Sequence, residues 1–137
     1  RERELWELTD ALGEANRAKA LRILGALLRE GEPALRIQGT LIRQWRQLWR
    51  AREMAAAGAS PGEMAPALGV PPFVVDRLVA SARRLSPAAL RRGYERLYQA
   101  DRALKGSRVD EHILVTRLVS GLVDDAAASD RGLSRGR

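Results

Sequence analysis

Apolar residues recur along nearly the whole chain at the three- and four-residue spacing of a helix face, and no segment alternates as a half-buried strand does. The pattern opens with Leu5, Leu8 and Leu12. Asn16 can cap a second helix whose stripe is Ala20, Leu21, Leu24, Leu27 and Leu28, and Gly31 with Pro33 stops it. The longest helix is expected over 34–57, with Leu41, Trp45, Leu48 and Trp49 on one face. "AAGASPGE" then breaks the chain, Ser60 serving as N-cap and Pro61 as the first helical residue. A helix pair about Gly69 follows, then a helix from Ser86-Pro87 to Gly106, then "VDEHILVTRLVSGLVDD". The reading is all-α: a single bundle of six or seven helices over residues 1–124, with 125–137 as a disordered tail too poor in apolar residues to pack.

Composition narrows the chemistry. A chain of 137 residues, 45% hydrophobic and 30% charged, buries roughly two-thirds of its unfolded surface as one domain. Cysteine is absent, which excludes disulfides and thiolate metal sites, and a single histidine, His112, leaves little for a metal centre or a triad. No apolar run approaches the roughly 18 residues of a membrane span, and the charged start "RERELWEL" is not a signal peptide. Without an initiator Met the sequence reads as part of a longer protein, and the absence of cysteine is compatible with the expected cytoplasmic location.

The net charge of +7 is uneven: residues 1–31 balance, 32–58 carry a surplus of +3 and 86–108 a surplus of +4. Such a field attracts nucleic acid or an acidic partner. The same arginines also serve as helix formers on solvated faces.

One stretch, "GEMAPALGVPPFVVDRL", spaces Ala65, Gly69 and Val75 as a helix-turn-helix does. A recognition helix offers polar side chains to base edges from its first turns. Here it begins Pro71, Pro72, Phe73, Val74, none of which donates a bidentate hydrogen bond. The spacing therefore reads as two helices meeting at a tight turn, with Phe73 and the valines facing other helices. Catalytic motifs are missing too: no phosphate loop, no HExxH, no GxSxG, no calcium loop. Asp110, Glu111 and His112 are consecutive and point in different directions from a helix start, where acidic residues answer the helix dipole. No catalytic residue, cofactor or metal is expected.

Two features break local expectation. The sixth stripe runs Leu90, Tyr94, Leu97, Tyr98, Asp101, Leu104, which puts Asp101 on an apolar face. A buried carboxylate is costly unless partnered, so Asp101 is expected to be a structural carboxylate hydrogen-bonded to an Arg or Trp of the long helix. Trp45 and Trp49 either anchor the core or, where exposed, mark an interface.

Together, "KALRILGALLREGEPALRIQGTLIRQWRQLWRAREM", "ALGVPPFVVDRLVASARRLS" and "LYQADRALKGSR" resemble, in order and spacing, the C-terminal region of the delta subunit of bacterial DNA polymerase III, from about Leu5 to Leu122. Its pieces are Gln44-x-Arg46-x-Leu48, the Leu68-Gly69 turn before Pro72-Phe73, the helix ending in Ser86, and Asp101-x-x-x-Lys105-Gly106. The resemblance implies a clamp-loader collar-like domain: a non-catalytic module that packs with equivalent domains of the delta-prime and gamma/tau subunits. It implies contact with the sliding clamp only through an N-terminal region not included here, DNA within the full complex, and no membrane. Gln38 departs from the pattern, where an aliphatic is usual, and is expected near the surface. A long helix with apolar residues on more than one side needs more than its own bundle to cover them. Leu35, Ile37, Ile42, Arg46, Trp49 and Arg50 are the candidate interface residues. The alternative is an Arg-rich nucleic-acid-binding domain using the third and sixth helices.

Overall fold

Among the described residues seven helices form between the breakers: α1 (Glu2–Gly13), α2 (Arg17–Arg29), α3 (Ala34–Ala56), α4 (Pro61–Leu68), α5 (Pro72–Arg83), α6 (Pro87–Gly106) and α7 (Glu111–Arg135). The structure, a computed structural model, describes residues 2–106 and 108–135, and of 130–135 the backbone alone. Among the described residues no strand occurs and no helix is long and apolar enough to cross a membrane.

The expected caps Asn16, Ser60 and Ser86 are in place. Asn16 Oδ1 accepts from the Lys19 amide at 3.1 Å. Ser60 and Glu63 form a reciprocal capping box, Glu63 N donating to Ser60 Oγ and Ser60 N to a Glu63 oxygen. The hydrogen bond from the Ser60 backbone holds the Glu63 carboxyl below its ordinary value. Ser86 Oγ accepts from Ala89 N, and Asp110 Oδ1 from the amides of His112 and Ile113. Gly69 closes α4 in the left-handed conformation, φ 69°, which a side chain would strain.

The core is organised around α3, which packs against α1, α4, α5, α6 and α7. Its buried face is Ile37, Leu41, Trp45, Leu48 and Ala51. Against it α6 runs antiparallel and presents Leu90, Gly93 and Leu97. Trp45 Nε1 donates to the Leu90 carbonyl at 2.9 Å, and two turns away Gln38 Nε2 donates to the Leu97 carbonyl at 2.9 Å. The two donors are seven residues apart on α3, the two acceptors seven apart on α6, so a pair of matched bonds pins the register of the two helices. A carbonyl has a second lone pair beside the one its helix uses, so neither bond interrupts α6.

This arrangement corrects the placement of Gln38. It is 1% exposed, not at the surface, because its amide has an acceptor inside the seam and a satisfied polar group tolerates burial. A second buried amide, Gln44, accepts from the Thr9 hydroxyl and ties α1 to α3. Its Nε2 has no protein partner.

The chain end also differs from the tail expected over 125–137. The final helix runs through Arg135, with Asp125, Ala126 and Ser129 buried. Arg96 of α6 grips Asp125 with two bonds, Nε to Oδ2 at 2.7 Å and Nη2 to Oδ1 at 3.2 Å, which raises the Arg96 pKa. Ser129 Oγ accepts from the Ser86 amide. These three hydrogen bonds hold the turn beside the buried Ala126, and an apolar count does not report them. Residues 136 and 137 lie outside the described residues.

Close approach at the seam makes a sharp test. A Cβ built on Gly93 lies 2.5 Å from Trp45 Cζ2 and 2.7 Å from Cε2, in a ring that is itself 1% exposed and has nowhere to move. At Gly39 the nearest obstacle is the end of Arg43 at 3.9 Å. Gly39→Ala is expected to stabilise the fold by about 0.5–1 kcal/mol through helix propensity. Gly93→Ala is expected to destabilise it by about 1–3 kcal/mol through overpacking. Chemical denaturation of the two variants checks the opposite signs.

Candidate functional site

The outward side of α3 carries a stripe that the bundle leaves open. Arg46, Trp49, Arg50 and Glu53 stand at i, i+3, i+4 and i+7, the spacing of one helix face. With Tyr94 of α6 they line a shallow groove of about 390 Å3. Trp49 and Tyr94 meet edge to face, centroids 5.8 Å apart and planes at 89°. Tyr98 tilts onto Tyr94 at 4.9 Å and 54°.

Arg46 is clamped across this cluster. Its Nε donates to Tyr94 Oη and its Nη2 to Tyr98 Oη, both at 2.7 Å, and its guanidinium carbon lies 5.9 Å from the Tyr94 centroid. The tyrosine hydroxyls raise the Arg46 pKa, while bonds from Tyr94 and Arg46 lower that of Tyr98. The result is a fixed cation at the surface, held by neutral acceptors.

Much of the basic surplus elsewhere is structural. Arg50 Nη2 donates to the Ala67 carbonyl at 2.8 Å, and Arg52 Nη1 to those of Ala82 and Leu85 at 3.1 and 2.7 Å. The arginines of α3 thus satisfy the orphan carbonyls at the ends of α4 and α5. Arg77 pairs with Asp10, Arg84 with Glu14 and Arg17 with Asp124, joining helices distant in sequence.

The candidate interface residues separate. Leu35, Arg46 and Arg50 are exposed, Ile42 and Trp49 half-buried. Ile37 is a correction: it is fully buried because it falls four residues before Leu41 and eight before Trp45, on the core face. Of this pair, Trp45 is buried in the core and Trp49 is half-buried at the surface.

Asp101 is a second correction. Its side chain is 26% exposed and pairs with Lys105 at 3.1 Å on its own helix, not with α3. The apparent stripe of α6 is out of phase because its true centre is a glycine. Leu90, Gly93 and Leu97 face α3, and Tyr94, Tyr98 and Asp101, each one position or more onward, fall at the rim. A residue without a side chain gives no apolar signal, yet it marks the line of closest approach.

The α4–α5 pair packs as a helix pair about the Gly69 turn, with Val75, Leu78 and Ala82 inward. Phe73 does not face other helices: it is 79% exposed. Two residues before Val75 is about 200° around the helix, which turns it away from the core. His112 is exposed, and among the described residues no group of histidine and carboxylate side chains could hold a metal.

The clamp on Arg46 is not evident from the sequence. Its signal there is the i, i+4 tyrosine pair in a helix facing an arginine of the long helix.

Comparison with known proteins gives one consistent answer. Residues 2–122 match the family model described as DNA polymerase III delta subunit, C-terminal domain. DNA polymerase III subunit delta of Bacillus subtilis (strain 168) is 27% identical over 114 residues, covering 83% of this chain and 33% of that protein. The solved structure of the Bacillus subtilis DNA clamp loader delta protein superposes with a TM-score of 0.83 at 26% identity, covering 90% of this chain and 36% of that one. The chain therefore spans about a third of the length of the curated relative it matches.

An i, i+4 ion pair at a helix rim contributes about 0.3–0.5 kcal/mol. Asp101→Ala is accordingly expected to shift stability by no more than about 0.5 kcal/mol, and a thermal melt at low and high salt measures it.

Proposed function

Since the chain belongs to the family formed by the C-terminal domain of the DNA polymerase III delta protein, we propose that it is the assembly module of a clamp-loader delta subunit. In this reading it packs with the equivalent domains of the delta-prime and gamma/tau subunits into a collar, and so helps build the machine that places the sliding clamp on primed DNA. The chemistry of clamp opening belongs to a region of the delta protein beyond this domain. The module holds subunits together and turns over no substrate.

The observation that carries the reading is the match of residues 2–122 to the family, which takes in every described helix of the bundle except the second half of α7. The surface is consistent with it. An aromatic side chain, an arginine held in place and a rim of opposite charge are what the core of a protein interface commonly offers, and α3 carries all three at Trp49, Arg46 and Glu53. The nucleic-acid-binding alternative is less favoured because two arginines of the third and sixth helices are engaged within the fold, Arg52 with the end of α5 and Arg96 with Asp125.

The domain is expected to associate with purified loader subunits at moderate salt and to leave the sliding clamp unbound. Size-exclusion chromatography of the chain with each partner checks this. Binding to the clamp without binding to loader subunits would overturn the reading.

A further inference from the structure

The groove along α3 has a charge order, and that order describes its occupant. We propose that the Arg46–Trp49–Arg50–Glu53 stripe receives a helix of a neighbouring clamp-loader subunit that carries two carboxylates and one cation around an apolar side chain. The inference rests on the assembly reading above and adds to it the chemistry and direction of the partner.

The four residues share one face of α3, over about 10 Å at 1.5 Å per residue, which is the span of two turns of an opposing helix. Among the described residues, neither Arg46 nor Arg50 has a carboxylate partner: Arg46 bonds two tyrosine hydroxyls and Arg50 a main-chain carbonyl. A guanidinium has five N–H donors in a rigid fork, so each keeps donors for an incoming carboxylate. Arg46 is already immobilised by Tyr94 and Tyr98, and a preorganised side chain loses little freedom on binding. Trp49 falls between Arg46 and Arg50 in sequence, meets Tyr94 edge to face and lines the groove half-buried. It is the apolar floor for a partner side chain.

Glu53 gives the stripe its sense. Two cations followed by an anion match a partner read acid, acid, base in one direction only, so the charges select orientation as well as identity. Glu53 also argues against a nucleic-acid backbone, whose phosphates it repels. So do the rings: with planes at 89° and 54°, Trp49, Tyr94 and Tyr98 pack on one another instead of forming the parallel slots that bases enter.

The test uses the full-length delta protein with its purified loader partners. Arg46→Glu/Arg50→Glu, in which both altered side chains are exposed, is compared with wild type and with Arg117→Glu, an exposed arginine outside the groove. Circular dichroism melts confirm that each variant is folded. Association is expected to weaken about tenfold or more for the double variant, as close charge pairs across interfaces do, with a shallower dependence on salt than wild type and no change for Arg117→Glu. If wild type assembles and the double variant assembles equally well, the stripe is not the docking site, and the assembly reading stands. If the delta protein lacking this domain assembles as tightly as the intact protein, the assembly reading itself fails and the inference with it. Loss of binding to a single-stranded or duplex oligonucleotide in the double variant, with subunit assembly intact, would overturn it in favour of nucleic acid.

Discussion

The contact between the Trp45 indole and Gly93 is the constraint on which the rest of the bundle depends. It lets α3 and α6 approach until side chains of one helix reach the main chain of the other, at Leu90 and again at Leu97. Net hydrogen bonds contribute about 1 kcal/mol each, which is modest beside the burial of the tryptophan. Their larger effect is on register. A slide of one turn would strand the indole N–H and the Gln38 amide in the core, each at about 1–3 kcal/mol. With α3 and α6 fixed, α7 is held through Arg96 and Asp125, and α1 through Thr9 and Gln44.

The same register decides what α3 shows outside. When Trp45 points inward, Trp49 lies one turn further along, at the edge of the seam, and Arg46 is carried over Tyr94 and Tyr98. Core and surface are therefore two readings of one helix rotation. The arginines of α3 divide accordingly: Arg52 closes α5, Arg50 closes α4 while keeping donors outward, and Arg46 stands on the tyrosines. A basic composition thus resolves into caps, ion pairs and a small fixed patch rather than a diffuse field.

How much is legible in the sequence follows from where the information sits. The seven helices are readable because Asn16, Ser60 and Ser86 cap, and Gly31, Gly69 and Gly106 terminate, by local chemistry alone. The family is readable from ordered motifs over most of the chain, and the family comparison agrees with it. Gln38, Asp101, Ile37 and Phe73 are misplaced by pattern alone because each depends on the phase of a stripe, and the glycine at 93 shifts the apparent phase of α6. The helix beyond residue 124 escapes the pattern because Arg96, Asp125 and Ser86 with Ser129 hold it, a long-range polar match that periodicity does not report. The tyrosine clamp needs the α3–α6 register, which emerges only when Trp45 and Gly93 are seen together.

One rotation of α3 buries Trp45 in the fold and leaves Trp49 half-buried at the groove, where the proposed neighbouring subunit would cover it. Hydroxyl-radical footprinting of the full-length delta protein, free and in the assembled loader, reads both side chains in one experiment. Trp45 is expected to be unreactive in both states, and Trp49, Tyr94 and Tyr98 to react in the free protein and be shielded on assembly. Equal oxidation of Trp49 in the free and assembled states would contradict it, as would a reactive Trp45 in the folded free protein.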